Sequence, residues 1–230
     1  MKISVIIPVF NEQKFILQTL KKVNEQKKNL ELEIIVVDDK SNDGTIDTIK
    51  NNNTLYDLLI ESDKNQGKGA AIKKGIKKAS GEAVLIQDAD FEYDPADYSK
   101  LISAFKSFDA DVVLGSRFKG SQPKKIIYYT HQVANKILTL ICNILTNRNF
   151  SDIETGYKLI RRSTLKEINI SRNDFGVEIE LIMKLANLKC KIFEVGISYN
   201  GRSYDEGKKI QFKDFLIAIY LLFKYFLNIK

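Results

Sequence analysis

The chain has little of several things, and each scarcity narrows what it can be. Its 230 residues include two cysteines, Cys142 and Cys190, without partners at metal-ligand spacing, which leaves no room for a disulfide framework. Both lie in apolar contexts and are expected as buried thiols of a reducing compartment. The single histidine, His131, falls in an apolar stretch and is expected to be structural rather than catalytic. With three prolines and 12 glycines there is no Pro/Gly/Ser-rich linker, so one domain is expected, residues 1–210, carrying an amphipathic helix over 211–230. No apolar run reaches the roughly 20 residues that span a bilayer. The N-terminus enters a strand at once, with no charged leader or apolar core of a signal peptide, so the expected location is the cytoplasm.

What is present is basic and partly greasy. The formal net charge of +7 favours anionic partners, but the basic residues form no nucleic-acid-like block. They occur in small groups, of which Lys73, Lys74, Lys77 and Lys78 have the spacing of a solvated helix face. Two segments, 126–145 and 215–227, are apolar enough to lie along a membrane surface, the second with Lys213 and Lys224 beside or within it.

The first half alternates strands and helices. Strands are expected at 3–8, 33–37, 56–61, 83–86 and 111–115, and helices at 14–26, 44–51, 70–79 and 95–108. Such alternation implies parallel strands joined by crossover helices, an α/β fold. Later elements are a helix within 126–145, a short strand at 158–160, a helix at 177–187 and a strand at 191–197.

Chemistry gathers where the apolar runs end. Asp88-Ala89-Asp90 closes the run at 83–86, Asp38-Asp39 the run at 33–37, and Asn11-Glu12 follows the first. Carboxylates at the C-terminal edge of a parallel sheet face the crevice where such folds bind ligands, and two of them suit a hard divalent cation. Aspartates after a strand are also ordinary turn formers, and Asn11, Asp38 or Asp43 could serve as helix caps. Gly67-Lys68-Gly69 permits close backbone approach with an added charge, or is a flexible loop.

Pro8-Val9-Phe10-Asn11-Glu12, Val37-Asp38-Asp39, Asn65-Gln66-Gly67-Lys68-Gly69 and Asp88-Ala89-Asp90, in that order and spacing, resemble the family 2 glycosyltransferases with the GT-A fold. Gly115-Ser116-Arg117, the run from Asp152 to Lys158 and the run from Arg202 to Ile210 resemble the dolichyl- or polyprenyl-phosphate sugar synthases among them. The resemblance implies a Rossmann-like, mostly parallel mixed sheet flanked by helices and a nucleotide-sugar donor such as GDP-mannose or UDP-glucose. It implies Mg²⁺ or Mn²⁺ on Asp88, Asp90 and Glu92, and a donor pocket of Pro8, Glu12, Asp39, Lys68, Asp88 and Ala89.

By the same resemblance, Arg117, Arg202 and Lys208 face the phosphate of a polyprenyl acceptor, with Asp90, Arg117 and Arg202 carrying the reaction. For each arginine taken alone, a surface salt bridge is the other reading. A Glu-Asp pair of the kind that deprotonates acceptor hydroxyls is missing; the second half offers Glu178, Glu180 and Asp152. A phosphate monoester, with a second pKa of about 6, needs no such base. The expected activity is inverting transfer of one sugar to a polyprenyl phosphate at the cytoplasmic membrane face, with a membrane-protein partner or a second copy as possible company. The rivals are a soluble glycan or protein acceptor and a non-catalytic nucleotide-sugar-binding module.

Overall fold

The computed structural model describes residues 1–120, 125, 128–203 and 212–228. Seven strands form one sheet: β1 (Ile3–Val9), β2 (Leu32–Asp38), β3 (Leu58–Glu61), β4 (Ala83–Ile86), β5 (Val112–Ser116), β6 (Lys158–Arg161) and β7 (Ile192–Gly196). Their order across the sheet is β3-β2-β1-β4-β6-β5-β7. All neighbours run parallel except β6, which lies antiparallel between β4 and β5. The fold is therefore the expected mixed, mostly parallel α/β sheet.

The buried strands are apolar on both faces because helices cover both. One core layer joins Ile6, Ile35, Val84, Ile86 and Leu114 to the helices α3 (Lys68–Lys78), α5 (Tyr129–Thr146), α7 (Val177–Asn187) and α8 (Phe212–Asn228). The other joins Val5, Ile7, Ile34, Val36 and Leu85 to α1 (Ile16–Glu25) and α4 (Tyr98–Ser107). The pleat assigns alternate residues of each strand to the two layers. Helix α1 buries Ile16, Thr19, Leu20 and Val23, an i, i+3, i+4, i+7 stripe. Two short helices, α2 (Thr45–Lys50) and α6 (Arg162–Glu167), complete the set; α6 is not foreshadowed by any apolar period.

Two local departures matter. The helix expected to start near residue 126 begins at Tyr129, with His131 in its first turn against the Tyr128 ring, 5.2 Å between centroids. The C-terminal helix expected as an appendage places Leu221 and Leu222 fully inside the same core as α5 and α7. Among the described residues no helix is long and apolar enough to cross a membrane. Both cysteines are unpaired; burial pushes the Cys142 thiol up to about 12, while Cys190 is only half-buried.

Strand β1 opens the crevice that the site occupies. It pairs with β2 along its whole length but with β4 only as far as Ile6 opposite Ile86. Pro8, two residues on, points the same way as Ile6, toward the side where β4 has ended, so its missing N–H breaks no ladder bond. Beyond that point the ends of β1 and β4 are free to diverge.

Candidate active site

The site is built on the C-terminal ends of β1, β2 and β4 and roofed by the segment before β6, which carries Gly156, and the loop after β7, which carries Arg202. Asp39, 2% exposed, follows β2; its Oδ2 accepts from the backbone N–H groups of Gln66 (2.9 Å) and Gly67 (2.6 Å). Its Oδ1 is buried and has no hydrogen-bond partner. A buried orphan acceptor costs about 1–3 kcal/mol, and it is poised to take one N–H or O–H from a ligand.

Neighbouring polar residues shape the loops instead. Asp38 Oδ2 accepts from the N–H groups of Lys40 and Ser41, and Asn11, at φ +53°, accepts from the Asn42 N–H. Asn11 thus clamps the β2 loop and does not cap a helix. Asp43 accepts from Thr45 N–H, the first residue of α2. Gly67 adopts φ +98°, and a Cβ there would lie 2.5 Å from the Asn173 carbonyl. The close approach this glycine allows is to its own chain, and the loop it holds is the one gripping Asp39. Gly67→Ala is expected to cost at least about 2 kcal/mol, from the left-handed backbone and the overlap together, read as a fall in the thermal midpoint. An unchanged midpoint would mean the loop is not held there.

The Asp-Ala-Asp step sends its two carboxylates one way and Ala89 the other. Ala89 is buried in the core layer of α1, and its carbonyl accepts from Thr19 Oγ1 at 3.0 Å. It spaces the aspartates, and its side chain faces the core and not the crevice, where the sequence reading put it against the donor; Pro8 is likewise buried, within β1. Asp88 Oδ1 meets Lys68 Nζ at 2.5 Å, and Lys68 also reaches Glu178 Oε1 at 2.8 Å. The backbone of Gly156 abuts Asp88 Oδ2, leaving no space for a side chain at 156. Phe91, at φ +60°, turns the chain so that Asp90 and Glu92 reach one guanidinium.

That guanidinium belongs to Arg202. Its Nη2 is 2.8 Å from Asp90 Oδ2, its Nη1 3.1 Å from Glu12 Oε2, its Nε 3.4 Å from Glu92 Oε1, and its backbone N–H donates to Glu92 Oε1. Tyr199 donates to the other Glu92 oxygen. Burial, then the charges of Asp88 and Glu92, push the Asp90 carboxyl up to about 7 against the opposing pull of Arg202. Arg117 forms a two-pronged pair with Asp152, both bonds 2.7 Å, and lies over the Tyr199 ring. Lys208 lies outside the described residues.

The residues that the sequence reading named as metal ligands do not converge: among the described residues no group of three His, Cys, Asp or Glu is arranged to hold a metal ion. Lys68 takes Asp88, and Arg202 takes Asp90 and Glu92. The donor types nonetheless suit a hard divalent ion, since Asp88, Asp90, Glu92 and Glu12 all offer carboxylate oxygens.

Sequence reasoning missed an aromatic floor. Tyr98 and Tyr157 both donate to Gln87 Oε1 at 2.7 Å, Gln87 donates to the Asp88 carbonyl, and Tyr93 stacks on Tyr157 while accepting from the Gly156 N–H. A polar Gln87 at the end of the apolar run of β4 was the available signal. Also missed was Lys158, fully buried in β6 and paired with Glu178 and the Thr155 carbonyl.

The sheet, the crevice at its C-terminal edge and the paired aspartates define a GT-A glycosyltransferase. The description "Glycosyl transferase family 2" matches residues 4–169, and the chain belongs to that family. It is 29% identical over 232 residues to the dolichol-phosphate mannosyltransferase of Pyrococcus furiosus, covering 98% of this chain and 64% of that protein. It is 28% identical over 202 residues to the low-salt glycan biosynthesis hexosyltransferase Agl6 of Haloferax volcanii, covering 87% of this chain and 48% of that protein. The chain thus spans about half to two thirds of the length of these relatives. Among solved structures, glucosyl-3-phosphoglycerate synthase of Mycobacterium tuberculosis, in complex with Mn²⁺, UDP and phosphoglyceric acid, superposes with a TM-score of 0.75. That match has 18% identity and covers 98% of this chain and 78% of the other. At that identity the likeness is one of fold.

Proposed function

We propose that this glycosyltransferase moves a single sugar from a nucleoside-diphosphate sugar to a polyprenyl phosphate, with inversion, aided by Mg²⁺ or Mn²⁺. The observation that carries this reading is the state of the carboxylates that a hydroxyl acceptor would need as bases. Glu178 is neutralised by Lys68 and Lys158, and despite burial those two lysines bring it down to about 2. Glu180 accepts from Ser171, Arg172 and Lys184, and Asp152 is saturated by Arg117 and Asn135. A carboxylate held that far down is a poor base at neutral pH. A phosphate monoester arrives already ionised.

Asp39 would accept from the base or ribose through its orphan Oδ1, and Glu12 would face the ribose. Asp88 and Asp90, with Glu92, would hold the divalent ion, which when bound supplies Lewis-acid stabilisation of the departing diphosphate. Lys68, beside Asp88, adds a positive charge to the same diphosphate, and Arg117 and Arg202 offer guanidinium forks to the acceptor phosphate. The similarity to a dolichol-phosphate mannosyltransferase over almost the whole chain supports the lipid-phosphate acceptor.

The proposed location is the cytoplasmic face of a membrane. Helices α5 and α8 pack against each other, and their outer sides expose Tyr129, Ile137, Leu140 and Ile144 beside Leu216, Tyr220, Phe223 and Leu227. That apolar surface, with Lys213 and Lys224 on α8, has the character of an interfacial helix pair. A membrane-protein partner or a second copy is the alternative cover.

A second reading keeps a hydroxyl acceptor and uses Glu154. Burial, then the charge of Glu178, raises the pKa of this half-buried carboxyl, as a base requires. Transfer of radiolabel from a panel of GDP- and UDP-sugars into an organic-extractable product separates the two. The proposal expects product only with polyprenyl phosphate and metal, and little change in Glu154→Gln. Transfer to soluble acceptors that Glu154→Gln abolishes would establish the hydroxyl reading instead, and absence of any turnover would leave a binding module.

A further inference from the structure

Arg202 stands in an unexpected place for an acceptor-phosphate ligand. It is 11% exposed, its three guanidinium nitrogens are each directed at a carboxylate of the acidic crevice, and its guanidinium carbon lies over the Phe15 ring at 5.3 Å from the centroid. Glu12 comes from the end of β1, Asp90 and Glu92 from the end of β4, so one side chain 190 positions from Glu12 closes the crevice across its mouth. The cleft beside it, lined by Phe15, Asp90, Phe91, Lys125, Asn200 and Arg202, has a volume of about 60 Å³. Ligand pockets for molecules the size of a nucleotide sugar measure about 300–1,000 Å³.

Four carboxylates, Glu12, Asp88, Asp90 and Glu92, face two cations, Lys68 and Arg202. Without a resident cation the crowding of like charge would be costly. A divalent ion on Asp90 would compete with Arg202 for this carboxylate, since the guanidinium holds Oδ2 at 2.8 Å and Oδ1 already accepts from the Glu92 N–H, and two cations crowded on one carboxylate repel each other.

We propose that Arg202 is a resident counter-cation that occupies the divalent-ion position of the donor site and is displaced when the metal and the donor's diphosphate bind. The idea rests on the donor-site reading of Asp88 and Asp90 given above, and it adds an order of events. While Arg202 is bound to Glu12, Asp90 and Glu92 its fork is spent; once metal takes Asp90, the guanidinium is released with its donors available for a phosphate. The acceptor-phosphate site is thereby completed only after the donor is loaded, which keeps the lipid phosphate from entering an empty enzyme.

The test uses Mn²⁺ alone, with no nucleotide and no acceptor, so it stands or falls apart from the identity of either. Free Mn²⁺ is followed by electron paramagnetic resonance in titrations of the wild type, Arg202→Gln, Arg202→Lys, and Arg202→Gln combined with Asp90→Asn. Removal of the competing guanidinium is expected to tighten Mn²⁺ binding about tenfold in Arg202→Gln, with Arg202→Lys in between because one ammonium cannot meet three carboxylates. The Asp90→Asn combination is expected to lose the gain. Mn²⁺ is also expected to raise the thermal midpoint of Arg202→Gln more than that of the wild type, which checks that the variant is folded. Unchanged or weaker Mn²⁺ binding in a folded Arg202→Gln protein would overturn the proposal, as would a gain that survives Asp90→Asn. Absence of lipid-dependent transfer by the wild type in the radiolabel assay would overturn the acceptor reading and leave the Mn²⁺ result standing.

Discussion

Asp90→Asn is expected to reduce sugar transfer about a thousandfold while leaving the protein at least as stable as the wild type. The loss follows from the proposed role of Asp90 in holding the divalent ion: with the carboxylate gone, the cation that would stabilise the departing diphosphate is held less well, and electrostatic stabilisation of that kind contributes about 10²–10³ in rate. The stability side follows from what Asp90 endures. Burial and the neighbouring carboxylates Asp88 and Glu92 lift its carboxyl to about 7, a sign that the ionised form is disfavoured in the fold. An amide of the same shape escapes that repulsion and can still accept from Arg202. Paired measurements of transfer rate and thermal midpoint check both halves. A variant that lost activity together with several degrees of stability would instead make Asp90 a structural residue.

Glu178→Leu is expected to cost about 3–5 kcal/mol in a denaturant titration, the usual effect of stripping one partner from a buried ion pair. Lys158 is the reason: it is fully buried, and its ammonium is held by Glu178 and the Thr155 carbonyl. Combining Glu178→Leu with Lys158→Met removes both charges and is expected to recover most of the loss, since apolar replacements of buried pairs are often neutral. The double variant should still transfer sugar poorly, because Lys68 has lost its contact with Glu178 and is left with Asp88 alone.

A pH dependence comes with it. Burial pushes Glu178 up, but Lys158 and Lys68 outweigh it and bring the folded value to about 2, against about 4.3 for an unfolded glutamate. A depressed folded value adds stability above the unfolded pKa and loses it as pH falls through the folded one. The wild type should therefore lose stability between about pH 5 and pH 2 more steeply than the double variant. Parallel curves would show that the pair does not set acid sensitivity.

Much of the scaffold could be read directly. Strands β1, β2 and β4 are β-branched and apolar runs interrupted only at Ser4, Pro8, Glu33 and the terminal Asp38, and a strand covered on both faces leaves that pattern whatever its neighbours are. The carboxylates and Glu12 at their ends were legible because strand direction alone puts them on one edge. Arg117 and Arg202 were singled out by local motifs, and the structure sets the first against Asp152 and the second against Glu12, Asp90 and Glu92.

Other features were not local. Strand β6 carries only Lys158, Leu159, Ile160 and Arg161, and nothing in four residues states that it inserts antiparallel between β4 and β5. Lys158 reads as a surface lysine until Glu178, 20 positions on, is folded over it. Ala89 faces the core because the turn after β4 presents alternate residues to opposite sides, and Thr19 on α1 waits there for its carbonyl.

The sequence by itself determined that this is an α/β glycosyltransferase with its acidic groups at the C-terminal edge of a parallel sheet, since periodicity and short motifs are properties of neighbouring residues. Only the tertiary structure decided what each charge is paired with: Lys68 with Asp88 and Glu178, Arg117 with Asp152, Arg202 with Glu12, Asp90 and Glu92. Electrostatic pairing acts through space over a few ångströms, and partners as far apart as 190 positions come within that range only when the whole sheet has closed.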